Sequence, residues 1–191
     1  MKKIGYLLFA ICYLLLCVYL LLPAPKIAPL PDSLKSIEPG DTGRISNITA
    51  AYYTNLSREE IISFYQKSFS QSSFFNVPLI TYKLNHPPEY SREIIIDTLD
   101  GSFFEEIVHP FRESFFINGW EPAKDKEYQK SAKKPKIEFI REGKDYNKKV
   151  TLFYIKSNPF IRIVIFHLSI LAIFSLIYFL RSIFASKWRI K

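Results

Sequence analysis

The 191 residues include only two cysteines, three histidines and six glycines. Both cysteines, Cys12 and Cys17, fall in one charge-free run, so the rest of the chain has no thiol for a disulfide or a zinc–thiolate site. None of the six glycines belongs to a G-x-x-x-x-G-K-[ST] or G-x-G-x-x-G pattern, which excludes the loops that cradle phosphates and dinucleotides. No cofactor and no metal site are therefore expected. Charge is missing altogether from residues 4–22, "IGYLLFAICYLLLCVYLLL", and from residues 163–180, "IVIFHLSILAIFSLIYFL". About 20 apolar residues in a helix cross a bilayer core, so both runs are expected to be transmembrane helices. The first is longer than the apolar core of a signal peptide, and Pro25 and Pro29 follow the small residues Ala24 and Ala28. A retained anchor is the expectation.

The formal charge of +8 points at first to nucleic acid. Its distribution removes that reading, because residues 23–159 carry 19 basic and 18 acidic side chains. The excess lies in Lys2, Lys3, Arg162, Arg181, Lys187, Arg189 and Lys191. Basic residues collect on the cytoplasmic flanks of membrane spans. Both termini are thus expected in the cytoplasm and the central domain outside it, with the lipid bilayer as first partner. Other membrane or envelope proteins, or further copies of the chain, are the partners this arrangement admits.

The expected division runs as follows: a cytoplasmic N-terminus (1–3), a span (4–22), a Pro-rich spacer with an irregular segment (23–43), an extracytoplasmic domain (44–159), a span (160–181) and a basic tail (182–191). Within the domain, "RISNITAAYYTN" and "VPLITYKLN" have strand composition. "NLSREEIISFYQKSF" predicts a helix, opened by the Ser57/Glu60 capping box and a Leu56/Ile61 staple. A second helix is expected from "HPPEYSREIIIDTL", and a third from Ser102-x-x-Glu105 through "FFEEIV", kinked at Pro110 and stopped at Asn118-Gly119. "EFIREGKDYNKKVTLFYIKS" predicts a closing hairpin around residues 142–145. The fold class is α+β: a mixed or antiparallel sheet with about three helices, flanked by transmembrane helices.

Candidate chemistry is sparse. On a helix, Glu105 and Glu106 would share a face with His109, the spacing of an acid–base or metal-ligating pair. His86 is the one further histidine outside the apolar runs, too few ligands for a zinc centre. Carboxylates in a first turn and a histidine in a last turn also suit the helix dipole. In the apolar runs, helical spacing aligns Tyr6, Ala10, Tyr13 and Cys17 on one stripe, and His167, Ser175 and Tyr178 on another. Small and weakly polar side chains join membrane helices, so these stripes are expected to pair.

Together, "DSLKSIEPGDT", "AYYTNLSREEIISFYQKSF", "KLNHPPEYSREIIIDT" and "FFEEIVHPFRESFFINGWEP" resemble an uncharacterised family of two-span membrane proteins from small-genome candidate-phylum bacteria. The resemblance implies a location and an origin, and it transfers no catalytic residue. The function this reading favours is a membrane-anchored interaction or assembly module of the cell envelope. Its alternatives are an envelope enzyme working through the 103–109 helix and an accessory subunit of a transport or secretion complex.

Overall fold

A computed structural model of the protein describes residues 2–38, 41, 48–85, 101–124, 130 and 139–188. It is α+β, in two units: Met1–Leu22 with Ser157–Lys191, and Pro23–Lys156.

The first unit contains two helices, α1 (Lys2–Leu21) and α3 (Pro159–Trp188), each long and apolar enough to cross a membrane. Asn158 opens α3 by accepting the amide of Phe160 at 2.8 Å, with Pro159 at the first helical position, where its missing N–H costs nothing. Leu7, Leu14, Leu171 and Phe179 stand exposed on these helices, as side chains solvated by lipid would.

The second unit is built on a six-stranded antiparallel sheet in the order β1-β2-β8-β5-β4-β3. Its strands are β1 (Ser33–Lys35), β2 (Ile48–Thr54), β3 (Tyr82–Asn85), β4 (Ser102–Val108), β5 (Ser114–Trp120) and β8 (Lys148–Ile155). A separate ribbon pairs β6 (Phe139–Arg141) with β7 (Lys144–Tyr146). Its two-residue turn, Glu142-Gly143, has φ of 52° and 74°, the left-handed pair that matches strand twist in a tight hairpin.

A further helix, α2 (Arg58–Phe69), begins where the local signal places it. Ser57 accepts from the Glu60 amide, and the Glu60 side chain accepts from the Ser57 amide at 2.7 Å. The helix buries Ile61, Ile62, Tyr65 and Phe69. Its cluster includes Tyr52, Ile107, Phe115, Ile117, Val150, Leu152 and Tyr154 from the sheet, with Leu56 packed alongside. Each large apolar side chain removed from water in this way contributes about 1.5–3 kcal/mol.

Three expectations are corrected. Residues 102–108 form strand β4, so Ser102 and Glu105 make no capping box, and Pro110 sits in the β4–β5 turn. Asn118-Gly119 lies inside β5 and stops nothing; Phe103 covers Gly119 from the neighbouring strand, where a side chain would have no room. The proline-rich segment is no free spacer, because Ala24, Ile27 and Leu30 pack on the core. Long-range strand pairing outweighs local helix signals here, as strand stability depends mainly on neighbours. The "EFIREG…" segment turns where expected, although its last part, β8, leaves the hairpin to become a central strand between β2 and β5. The expected helix at "HPPEYSREIIIDTL" lies outside the described residues.

Candidate functional site

The strand at 102–108 decides the fate of the acid–imidazole group. Alternation turns Glu105, Ile107 and His109 toward α2 and Glu106 to the opposite face, so Glu106 and His109 do not meet. Glu105 is fully buried and ion-paired with Arg58, whose guanidinium also lies over the Phe103 ring. His109 is 1% exposed and stacks on Phe69 with ring centroids 4.0 Å apart. Its Nδ1 lies 3.1 Å from Glu113 Oε1, and Nε2 has no hydrogen-bond partner. Arg112 donates Nε and Nη2 to the same Glu113 oxygen, at 3.2 and 2.8 Å.

These side chains carry the chemistry of acid–base catalysis, but a proton donor must reach a substrate. Here Glu105, His109 and Glu113 are buried, with His109 covered by Phe69 of α2. Among the described residues no group of three His, Cys, Asp or Glu side chains is placed to hold a metal. His86 lies outside the described residues.

The apolar helices bring together two of the expected stripe residues. The Tyr13 hydroxyl lies 2.5 Å from His167 Nε2, and His167 Nδ1 lies 2.7 Å from the Ile163 carbonyl. A carbonyl accepts only, so Nδ1 carries a proton; in the neutral ring Nε2 then accepts from the tyrosine. Cys17 is half-buried, whereas Tyr6, Ala10, Ser175 and Tyr178 face outward. Aromatic contacts that the stripes omit complete the pairing: Phe9 meets Phe174 edge-on at 5.9 Å, and Tyr13 lies 5.5 Å from Phe166. Arg162, counted in the sequence only as a flanking charge, donates to the Leu20 carbonyl at 3.1 Å and to Ser157 Oγ and O at 2.7 and 2.8 Å. It is a cation at the C-terminus of α1, where the helix dipole is negative. Its position directly before an apolar run, with no acid nearby in sequence, was the available signal.

The sheet face turned away from α2 differs in character. Tyr82, Leu84, Phe153 and Ile155 are exposed on it, and Phe104 stacks on Phe116. Toward the β6–β7 ribbon the face becomes polar. Glu38 accepts from Arg141 at 2.5 Å and Lys149 at 2.9 Å, and Lys149 also reaches Asp41 at 2.7 Å. The Tyr53 hydroxyl beside Glu38 (outside strict hydrogen-bond geometry), then Lys149 and Arg141, lower its carboxyl to about 2. A cavity of about 180 Å³ adjoins this cluster, lined by Asp41, Asn118, Trp120, Lys149 and Thr151. No family model, curated protein or solved structure matches the chain.

Proposed function

We propose that the protein is a two-span membrane protein whose α+β domain stands outside the cytoplasm and serves as an interaction or assembly module of the cell envelope. Lys2, Lys3, Arg181, Lys187, Arg189 and Lys191 favour the cytoplasmic side for the flanks that carry them. The Tyr13–His167 and Arg162–Leu20 bonds suit a first helix retained as an anchor, since a cleaved leader has no need of a partner helix. The resemblance to two-span proteins of candidate-phylum bacteria belongs to the same proposal.

One contrast carries the functional half of the reading. Glu105, His109 and Glu113 are buried against their partners Arg58 and Arg112 and one another, while the opposite face of the sheet presents Leu84, Phe153 and Ile155 to its surroundings. Exposed apolar patches of this kind mark surfaces of contact.

A photo-crosslinking amino acid at Phe153, expressed in cells, tests it. A discrete adduct with an envelope protein or a second copy is expected. Adducts confined to a transport or secretion component would favour the accessory-subunit reading, and no adduct at all would sink the module. Labelling of Lys144→Cys by an impermeant maleimide in intact cells tests the location separately.

A further inference from the structure

Two exposed aromatic turns share one anchor point. Ser72, itself buried, donates its hydroxyl to the carbonyl of Pro23 at 2.9 Å, and Arg112 donates Nη2 to the same oxygen at 3.4 Å. Pro23 is the second residue after Leu21, which ends α1. Ser72 begins the turn carrying Phe74 and Phe75, closed by its amide on the Val77 carbonyl at 2.9 Å. Arg112 belongs to the β4–β5 turn carrying Phe111, closed by the His109 amide on the Glu113 carbonyl at 2.9 Å.

The phenylalanines at these tips serve neither backbone nor core. Phe75 is 85% exposed with φ of 50°, and Phe111 is 81% exposed with φ of 62°. A bulky side chain at positive φ is an outlier, in a conformation that glycine adopts freely. Backbone strain of this kind gathers at functional positions. Phe74 adds a second exposed ring, 4.6 Å from Phe75.

The same end of the sheet is apolar and basic. Its last row pairs Tyr82 with Val108, Val108 with Ser114 and Ser114 with Ile155, and both outer members are exposed. Lys156 follows Ile155 directly, and Lys26 lies three residues past Pro23; both are exposed. Chain continuity therefore sets Lys26 and Lys156, and the Pro23 carbonyl that both aromatic turns hold, within a few residues of an apolar helix.

We propose that these turns dip Phe75 and Phe111 into the interfacial layer of the lipid bilayer, an inference that rests on the two-span reading. Aromatic rings concentrate at the headgroup level of a membrane, and lysines there keep their stems in apolar surroundings and their charges in water. Lipid is favoured over a protein partner because the turns hold Pro23, whose separation from the end of α1 leaves no length for a tether.

Quenching by brominated lipid tests this with the full chain in nanodiscs. Phe75→Trp and Phe111→Trp are read against the parent, whose Trp120 and Trp188 supply a constant background. Glu142→Trp, on the exposed β6–β7 turn, is the control. The added emission of the first two is expected to fall by at least half in dibromo-phosphatidylcholine, with the control unchanged. Spin labels on cysteines at the same three sites, read for collisions with oxygen and with a water-soluble nickel chelate, cover the case in which a tryptophan variant misfolds. Equal quenching at all three sites would overturn the proposal. So would aqueous access at Phe75 and Phe111 without lipid quenching, which would point to a protein partner instead. Nanodisc quenching does not depend on which side of the membrane the domain occupies, so its failure is distinct from a failure of maleimide labelling in cells.

Discussion

The Tyr13 hydroxyl and the His167 ring, 154 residues apart, form a hydrogen bond between two helices that are otherwise almost wholly apolar. The second ring nitrogen of His167 lies on the Ile163 carbonyl, so both nitrogens have partners. Tyr13→Phe keeps the ring and its contact with Phe166 but leaves Nε2 without its donor. Helix association in lipid is expected to weaken by about 0.6–1.7 kcal/mol, the range for polar contacts between membrane helices. A double-mutant cycle with His167→Phe, followed by unfolding in mild detergent, checks it. A coupling energy of zero would mean that the bond contributes nothing to pairing.

Gly119 and Phe103 face each other across β4 and β5, and the ring occupies the space where a side chain on Gly119 would stand. Gly119→Ala is expected to destabilise the domain by about 1–3 kcal/mol, as overpacking does. Phe103→Ala in the same chain should return much of that loss. Thermal melts of the single and double variants distinguish a steric conflict, which the second change relieves, from two independent losses, which would add.

Glu113 and Arg112 are adjacent in sequence and both wholly buried. Glu113→Ala leaves the guanidinium without its carboxylate, and removal of one buried partner costs about 3–5 kcal/mol. A double change to Arg112→Met and Glu113→Leu is expected to cost far less than the single change. Denaturant midpoints measure both. If Glu113→Ala melted with the parent, the buried trio would have no structural role and its chemistry would need another explanation.

Legibility followed the range of the forces involved. The start of α2 was readable because Ser57 and Glu60 satisfy each other's amides within one turn. The apolar helices were readable because runs of 19 and 18 uncharged side chains each agree on one solvent. The 102–120 region was not, since "SFFEE" carries a helix-start signal as well as aromatic strand formers. What settles it is the pairing of β4 with β5 and of β5 with β8, where Ser114 meets Ile155, 41 positions on. That change of period moved Glu106 away from His109 and dissolved the candidate acid–base pair. His109 stands out in the sequence as a rare residue type, but its partners Glu113 and Arg112 come from a hairpin turn that exists only because 102–108 and 114–120 are strands. Tyr13 and His167 were legible as stripe members; the outward position of Tyr6 and Tyr178 depends on how the two helices meet, which spacing along one helix does not encode.

Glu38 supplies a prediction in pH. Its carboxyl is lowered from an ordinary 4.5 to about 2, first by the neighbouring Tyr53 hydroxyl and then by Lys149 and Arg141. A folded value below the unfolded one means that the unfolded chain takes up the proton first as pH falls. The stabilisation is therefore complete above 4.5 and is lost progressively between 4.5 and about 2. The side chain is 39% exposed, so solvent screening limits the effect to no more than about 1 kcal/mol. Glu38→Gln removes the charge with little change in shape. The variant is expected to melt below the parent at pH 7, with the gap closing as pH drops from 4.5 toward 2, and high salt should narrow it at neutral pH. A gap that stayed constant across this window would assign the loss to packing of Tyr53 and not to the carboxylate's charge.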